Sequence, residues 1–232
     1  MPTSKLPATL KFALIIALTF FVFISGEVLF ISRDDSRSSL NFYKTLAHYS
    51  TQLSNPNTAL FFINQMFSIT SNHYYSNRYP SLTSPKANVN LYEIKSNTQI
   101  KNRFNIYLKK VDLDYLVTDD ASRFAKIYYE LGLIAYQNQS LQLAEDLFTL
   151  ASYSAPEWSF FYFELANFYS ELEDTSQSFR VISRCRSFEF ARQYCTGFET
   201  EYLDKNQSQP VGFYNQTIQT EMPTLSPGVN IN

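Results

Sequence analysis

The sequence predicts an all-α protein: antiparallel helix hairpins arranged as an α-solenoid, preceded by an N-terminal transmembrane helix. Three observations carry this. Apolar residues between Leu40 and Cys195 recur mostly at three- and four-residue intervals, the period of one helix face. A self-similarity of period 34 relates 125–158 to 159–192, and such a period marks helix-pair repeats. With 5 Gly and 9 Pro in 232 residues, there is too little turn chemistry for a β-sandwich or a Gly-rich nucleotide-binding fold.

From the N-terminus, Phe12 to Ser25 is fourteen residues without a charge, and Phe12 to Ser32 carries only Glu27 across 21 residues. A helix of that length spans about 30 Å, enough for a bilayer core. It lacks the polar face of a soluble helix. A cleaved signal peptide is the competing reading, with Lys5 and Lys11 as its charged region and Ser25-Gly26 as its cleavage site. Ile24 in place of a small residue, and the further apolar run Val28-Leu29-Phe30-Ile31, favour the uncleaved anchor. The basic N-terminal flank then keeps residues 1–11 cytoplasmic and sends the rest out of the cytoplasm. Cleavage at the signal site gives a secreted domain instead.

Residues 33–39 form a polar spacer, and 33–73 are expected to form a helical hairpin. Phe42, Tyr43, Leu46, Ala59, Leu60, Ile63, Met66 and Phe67 supply its apolar face, and Asn55-Pro56-Asn57 begins its second helix. Pro80, Pro85 and the Ser and Asn clusters mark a loop over 70–90. The whole of 74–124 is expected to be loop and irregular helix, ending in N-cap chemistry at Thr118-Asp119-Asp120. After Asp204 the chain turns polar and proline-containing, so 205–232 are expected to be a disordered tail.

Between these lies the repeat. Tyr128, Leu131, Gly132, Ala135, Ala144, Phe148 and Ala151 precede Tyr162, Leu165, Ala166, Tyr169, Ser178, Ile182 and Cys185 by 34 residues each. Only Ala135/Tyr169 changes size class. The first copy, with an aromatic at 128, Leu131-Gly132, Ala144-x3-Phe148 and Pro156, resembles the tetratricopeptide repeat (TPR) family. The resemblance covers about 125–192, and Leu40–His73 fits as a degenerate third copy on Tyr43, Leu46, Ala47, Ala59 and Ile63. It departs from the family pattern at Ala135, where a tyrosine is usual, and at Phe190, where the closing proline is missing. It implies that Gly132 and Ala166 sit where paired helices approach most closely, that Phe148 and Ile182 fill the space between them, and that Pro156 starts the next helix. Residues 193–204 are then the capping helix of the stack, within an amphipathic run over 188–204.

The resemblance also implies a concave face that binds a protein or peptide partner. Lys126, Tyr129, Leu133 and Tyr136 line it in the first copy, and Phe160, Phe163, Asn167 and Ser170 in the second. A competing reading has Phe160 and Phe163 packing against 91–116, which leaves no free groove. The lysine-and-asparagine clamp some family members use for a C-terminal carboxylate is not reproduced.

Other function classes lack residues to build on. A net charge of -2 provides no basic field for nucleic acid. His48 and His73, the only histidines, have no partner at metal-ligand spacing, and no catalytic or nucleotide-binding motif occurs, so no cofactor, metal site or small-molecule substrate is expected. An enzyme would need its site in 74–124. Cys185 and Cys195 are read first as two small buried thiols; they pair in an oxidising compartment only if a turn near Ser187–Glu189 folds the chain back, since one straight helix would hold them about 15 Å apart. Asn138, Asn206 and Asn215 begin glycosylation sequons that matter only in a glycosylating pathway. The expected function is thus a membrane-anchored, non-catalytic scaffold or adaptor for protein–protein interaction. The alternative is a structural or accessory subunit of an envelope or secretion complex.

Overall fold

A computed structural model describes residues 36–87 and 89–196. The transmembrane helix expected at 12–32, the tail at 205–232 and the sequons at Asn206 and Asn215 lie outside these residues. The described chain is all-helical and contains no strand. No helix among the described residues is long and apolar enough to cross a membrane.

Helices α1 (Ser36–Gln52) and α2 (Pro56–Arg78) form the first hairpin. Asn55 caps α2 through a side-chain bond from the Thr58 N–H, and Pro56 follows at the first turn, where its missing N–H is no loss. The helix runs five residues past the boundary expected at 73, because Tyr74 and Tyr75 bury their rings on the core side. Pro80 ends it by lacking the N–H a further turn needs.

Short helices α3 (Leu91–Ser96) and α4 (Thr98–Leu108) follow, capped by Asn90 and Asn97 respectively. Two 3-10 turns, Asp114–Leu116 and Ala121–Phe124, lead into α5 (Ala125–Gln137), with Asp120 accepting from the Ser122 N–H. This segment buries Ile94, Ile100, Phe104, Leu108, Leu113 and Leu116, so it is an integral part of the core.

Helices α5 and α6 (Leu141–Ser154) form the second hairpin, and α7 (Ser159–Glu171) and α8 (Thr175–Cys185) the third. All three hairpins turn in the same way. Ser54, Gln139 and Glu173 adopt φ of 55°, 61° and 60°. The N–H of the next residue reaches back five positions, Asn55 to Ser50, Ser140 to Ala135 and Asp174 to Tyr169, at 2.9, 3.0 and 2.9 Å. This is a Schellman ending, which satisfies carbonyls that the helix would otherwise orphan. Pro156 does not start α7. It occupies a turn closed by Trp158 N–H to Ala155 C=O at 3.0 Å, and the helix begins three residues later.

The main core runs through all three hairpins. At its centre Phe67, Phe124 and Tyr128 meet with ring centroids 5.5–6.4 Å apart. The buried Tyr128 hydroxyl donates to Asn64 Oδ1 at 3.0 Å, joining the first hairpin to the second. Tyr128→Phe leaves the Asn64 acceptor buried without this donor, an expected cost of about 1–2 kcal/mol. Urea denaturation reads that loss, and the double variant Tyr128→Phe/Asn64→Leu is expected to recover most of it. Equal stabilities of the single and double variants would refute the account.

A second, smaller cluster holds Tyr162, Phe163, Ala166, Ile182, Cys185, Phe188, Ala191 and Cys195, bridged to the main core by Tyr79 and Val181. Here the two-thiol reading is corrected. Cys185 and Cys195 are disulfide-bonded with Cα atoms 6.1 Å apart. A turn over Arg186–Phe188, held by Ser187 N–H to Arg184 C=O and Phe188 N–H to Cys185 C=O, reverses the chain into a helix that starts at 189. Phe190, which stands where the family pattern has its closing proline, falls in the first turn of this helix. Helix thus begins four residues ahead of the expected cap at 193, and it is described as far as 196.

Candidate functional site

The strongest candidate lies where α5 meets α7. The Tyr129 hydroxyl donates to Glu164 Oε2 at 2.9 Å, and the Tyr136 hydroxyl makes a short hydrogen bond to Glu171 Oε2. Tyr129 and Tyr136 are seven residues apart, as are Glu164 and Glu171, so each pair repeats two helical turns along its own helix. The result is a two-rung seam. Tyr169 extends it sideways by donating to Glu145 Oε1 at 2.7 Å.

Aromatic rings fill the space between the rungs. Tyr129 lies 5.1 Å from Phe160, 5.9 Å from Phe161 and 5.9 Å from Phe148, and Tyr136 lies 5.8 Å from Phe168, all as ring centroids. These are edge-on or tilted arrangements that suit aromatic quadrupoles.

The eight expected concave-face residues therefore have different fates. Lys126 is exposed, and Tyr129, Leu133, Tyr136, Phe160, Asn167 and Ser170 are half-buried. Leu133 and Phe160 pack against the main core. Phe163 is buried in the small C-terminal cluster and does not line an open surface. Phe160 meets Tyr129 and Phe161, the latter at 5.2 Å, which ties it into the seam. Arg103 donates to Gln137 Oε1 at 2.6 Å, so α4 runs beside the seam on the neighbouring face of α5.

Glu164 and Glu171 were not among the expected residues. Their signal was present in the sequence: both follow a seam tyrosine by 35 residues, and both share its seven-residue spacing. A search for a binding surface favours aromatics, and the carboxylates pass as solvated charge.

Burial holds the Glu164 carboxyl above its ordinary range; the Tyr129 hydrogen bond pulls it back and the Glu171 charge pushes it up again. Tyr129 is raised by burial, then by the Glu164 charge and hydrogen bond. A carboxyl with a raised folded-state pKa binds its proton more tightly in the folded chain than in the unfolded one. Its contribution is fully present below the ordinary value of 4.5 and is lost as pH rises through the folded pKa. Glu164→Gln keeps an acceptor for Tyr129 and cannot ionise. Thermal unfolding followed from about pH 4 to pH 7 is expected to show wild type losing stability relative to this variant. Parallel curves would rule out Glu164 as the source.

The other concentration of polar groups, at the end of α2, is structural. The Tyr79 hydroxyl and Arg78 both bond Glu157, with the Arg78 contact at 3.4 Å, and Arg78 lies over the Tyr74 ring at 5.1 Å. Burial, then the Glu157 charge, pushes Tyr74 up to about 12. Tyr75 donates to the Tyr153 carbonyl at 2.8 Å, and Arg184 stacks 3.6 Å over the Tyr153 ring. The nearby Tyr162 hydroxyl is buried with no hydrogen-bond partner among the described residues.

Asn138, whose sequon falls in the turn between α5 and α6, donates its amide to the Ile134 carbonyl at 2.6 Å. Compared with known proteins, the chain matches no protein-family profile, no curated protein and no solved structure.

Proposed function

We propose that residues 36–196 are a non-catalytic helical scaffold of tetratricopeptide type, anchored to a membrane by residues 12–32 and displayed outside the cytoplasm. It holds a protein partner along the α5–α7 seam. The observation that carries the reading is the 34-residue register of the last two hairpins. α5 and α7 begin at 125 and 159, α6 and α8 begin at 141 and 175, and the positive-φ residues are 139 and 173. Repeat scaffolds of this kind present the first helix of each pair to a partner, and the side chains on that face are aromatic, the class that dominates binding hot spots. The Cys185–Cys195 bond supports the location, since disulfides persist in oxidising compartments and are rare in the cytosol.

A photo-crosslinker placed at Lys126 or Asn167 in the full-length, membrane-resident protein tests the site. A discrete partner adduct at both positions, absent from a control at Lys101 on α4, is the expected result. Adducts only at the control would sink the seam as the binding face. N-terminal sequencing of the mature protein tests the anchor, and a start at or near Glu27 would refute it.

One observation favours the alternative, a permanent structural or accessory subunit of an envelope or secretion complex. Phe190 and Tyr194 stand exposed on the terminal helix, where the free end of a repeat stack is normally polar. A stoichiometric complex that resists high salt would select this reading over the adaptor.

A further inference from the structure

The first hairpin carries an apolar surface that its own core does not use. On α1, Phe42, Leu46 and Tyr49 fall within an arc of about 60° at 100° per residue, and Leu53, the first residue past the helix, continues the same arc through its N–H bond to the Tyr49 carbonyl. The buried residues of the same helix, Ser39, Leu40, Ala47, Ser50 and Thr51, lie on the adjoining arc. Tyr49 is 62% and Leu53 79% exposed, and Phe42 and Leu46 are half-buried. A chain of rings links the stripe to α2 through Tyr43 and Phe62, which pack against the main core: Phe42 to Tyr43 at 5.5 Å, Tyr43 to Phe62 at 6.2 Å, and Phe62 to the 45%-exposed Phe61 at 5.4 Å. The polar residues Asn41, Lys44, Thr45, His48 and Gln52 occupy the remaining side of α1.

Position along the chain selects the occupant. The apolar segment ends at Ser32 and α1 begins at Ser36, so three residues, spanned by at most about 14 Å of chain, separate the two. A segment that spans a bilayer and ends at Ser32 holds the start of α1 at the headgroup layer. A helix emerging there with a continuous apolar stripe, a polar side next to it and tyrosine and phenylalanine within the stripe has the makeup of an interfacial helix.

We propose that α1 lies along the lipid surface, with Phe42, Leu46, Tyr49, Leu53 and Phe61 in the headgroup–acyl boundary. The inference rests on the anchor reading above. It fixes the domain's orientation: the first hairpin lies on the membrane and the α5–α7 seam is carried away from it by the packing of α2 on the later helices. An upright α1, continuing the anchor, would instead place Leu53 about 25 Å from the surface, since the helix has 17 residues at 1.5 Å each.

Full-length protein in phosphatidylcholine–phosphatidylglycerol vesicles with brominated acyl chains tests this. In a Trp158→Phe background, Tyr49→Trp, Leu53→Trp and, on the polar side, His48→Trp each provide one fluorophore at an exposed position. Bromine is expected to quench the first two about twofold or more and leave His48→Trp unchanged. An alkaline wash reports separately on the anchor. Protein retained after the wash with Tyr49→Trp and Leu53→Trp unquenched overturns the surface helix and leaves the anchor standing; a protein partner then covers the stripe. Protein released by the wash but still quenched on vesicles overturns the anchor and sustains the surface helix. Release with no vesicle binding overturns both.

Discussion

Gly132→Val is expected to destabilise the fold by about 3 kcal/mol, the upper end of the usual cost of overpacking a core. A Cβ at position 132 would stand 2.7 Å from both Phe148 Cδ1 and Cε1, closer than carbon atoms approach without displacement. The ring has little room to retreat. It is 4% exposed and is flanked by Tyr129 and Phe168 at 5.9 and 5.6 Å. Valine adds two further carbons and a β-branch to that clash. Gly132→Ala costs less, because alanine recovers about 1 kcal/mol of helix propensity. The other two hairpins indicate a remedy. Sixteen residues separate Gly132 from Phe148, Ala166 from Ile182 and Ala47 from Ile63, so the smallest residue accompanies the largest partner. Gly132→Ala/Phe148→Ile copies the second arrangement and is expected to be more stable than Gly132→Ala alone. Denaturant titration of wild type, Gly132→Ala, Phe148→Ile and the double variant decides this, and strictly additive effects would refute steric coupling between 132 and 148.

Position 132 also illustrates what the sequence makes legible. The all-helical class follows from apolar spacing, and the need for a small residue at 132 follows from comparing it with 166. The turns between helices are harder to read. Ser54, Gln139 and Glu173 adopt positive φ, yet none is the glycine or asparagine that announces a Schellman ending. Each is held there by the backbone bonds of the turn, and the strain is spread over three loops instead of being avoided by residue choice. Pro156 misled for the opposite reason: proline suits the first turn of a helix and the second position of a β-turn equally well, and only the Ala155–Trp158 hydrogen bond separates the two. The segment 91–124 resisted reading because its helices are short and each buries only a few side chains. The seam was half legible. Tyr129, Tyr136 and Phe160 follow from the helix face, whereas Glu164 and Glu171 matter only because a neighbouring helix brings a hydroxyl to each. Phe163 obeys the same spacing as its neighbours, and burial under the disulfide-closed C-terminal turn removes it from the surface.

Breaking the Cys185–Cys195 bond, through Cys185→Ser/Cys195→Ser or a dithiol reductant, is expected to cost about 2.7 kcal/mol. That is the loop entropy of a bond between residues ten apart in sequence. The loss should be local. The small cluster that the bond closes contains only two residues from the reversing segment besides the cysteines, Phe188 and Ala191. Phe188 packs 5.4 Å from Tyr79 and 6.2 Å from Tyr162. With so few side chains docked, the covalent bond is expected to decide whether the segment stays in place. Hydrogen exchange should show amides of 189–196 losing about 100-fold in protection on reduction, while those of α5 stay unchanged. Unchanged exchange in 189–196 after reduction would show that packing alone holds the segment. An equal loss in α5 would show instead that the bond supports the whole fold, with the small cluster inseparable from the main core.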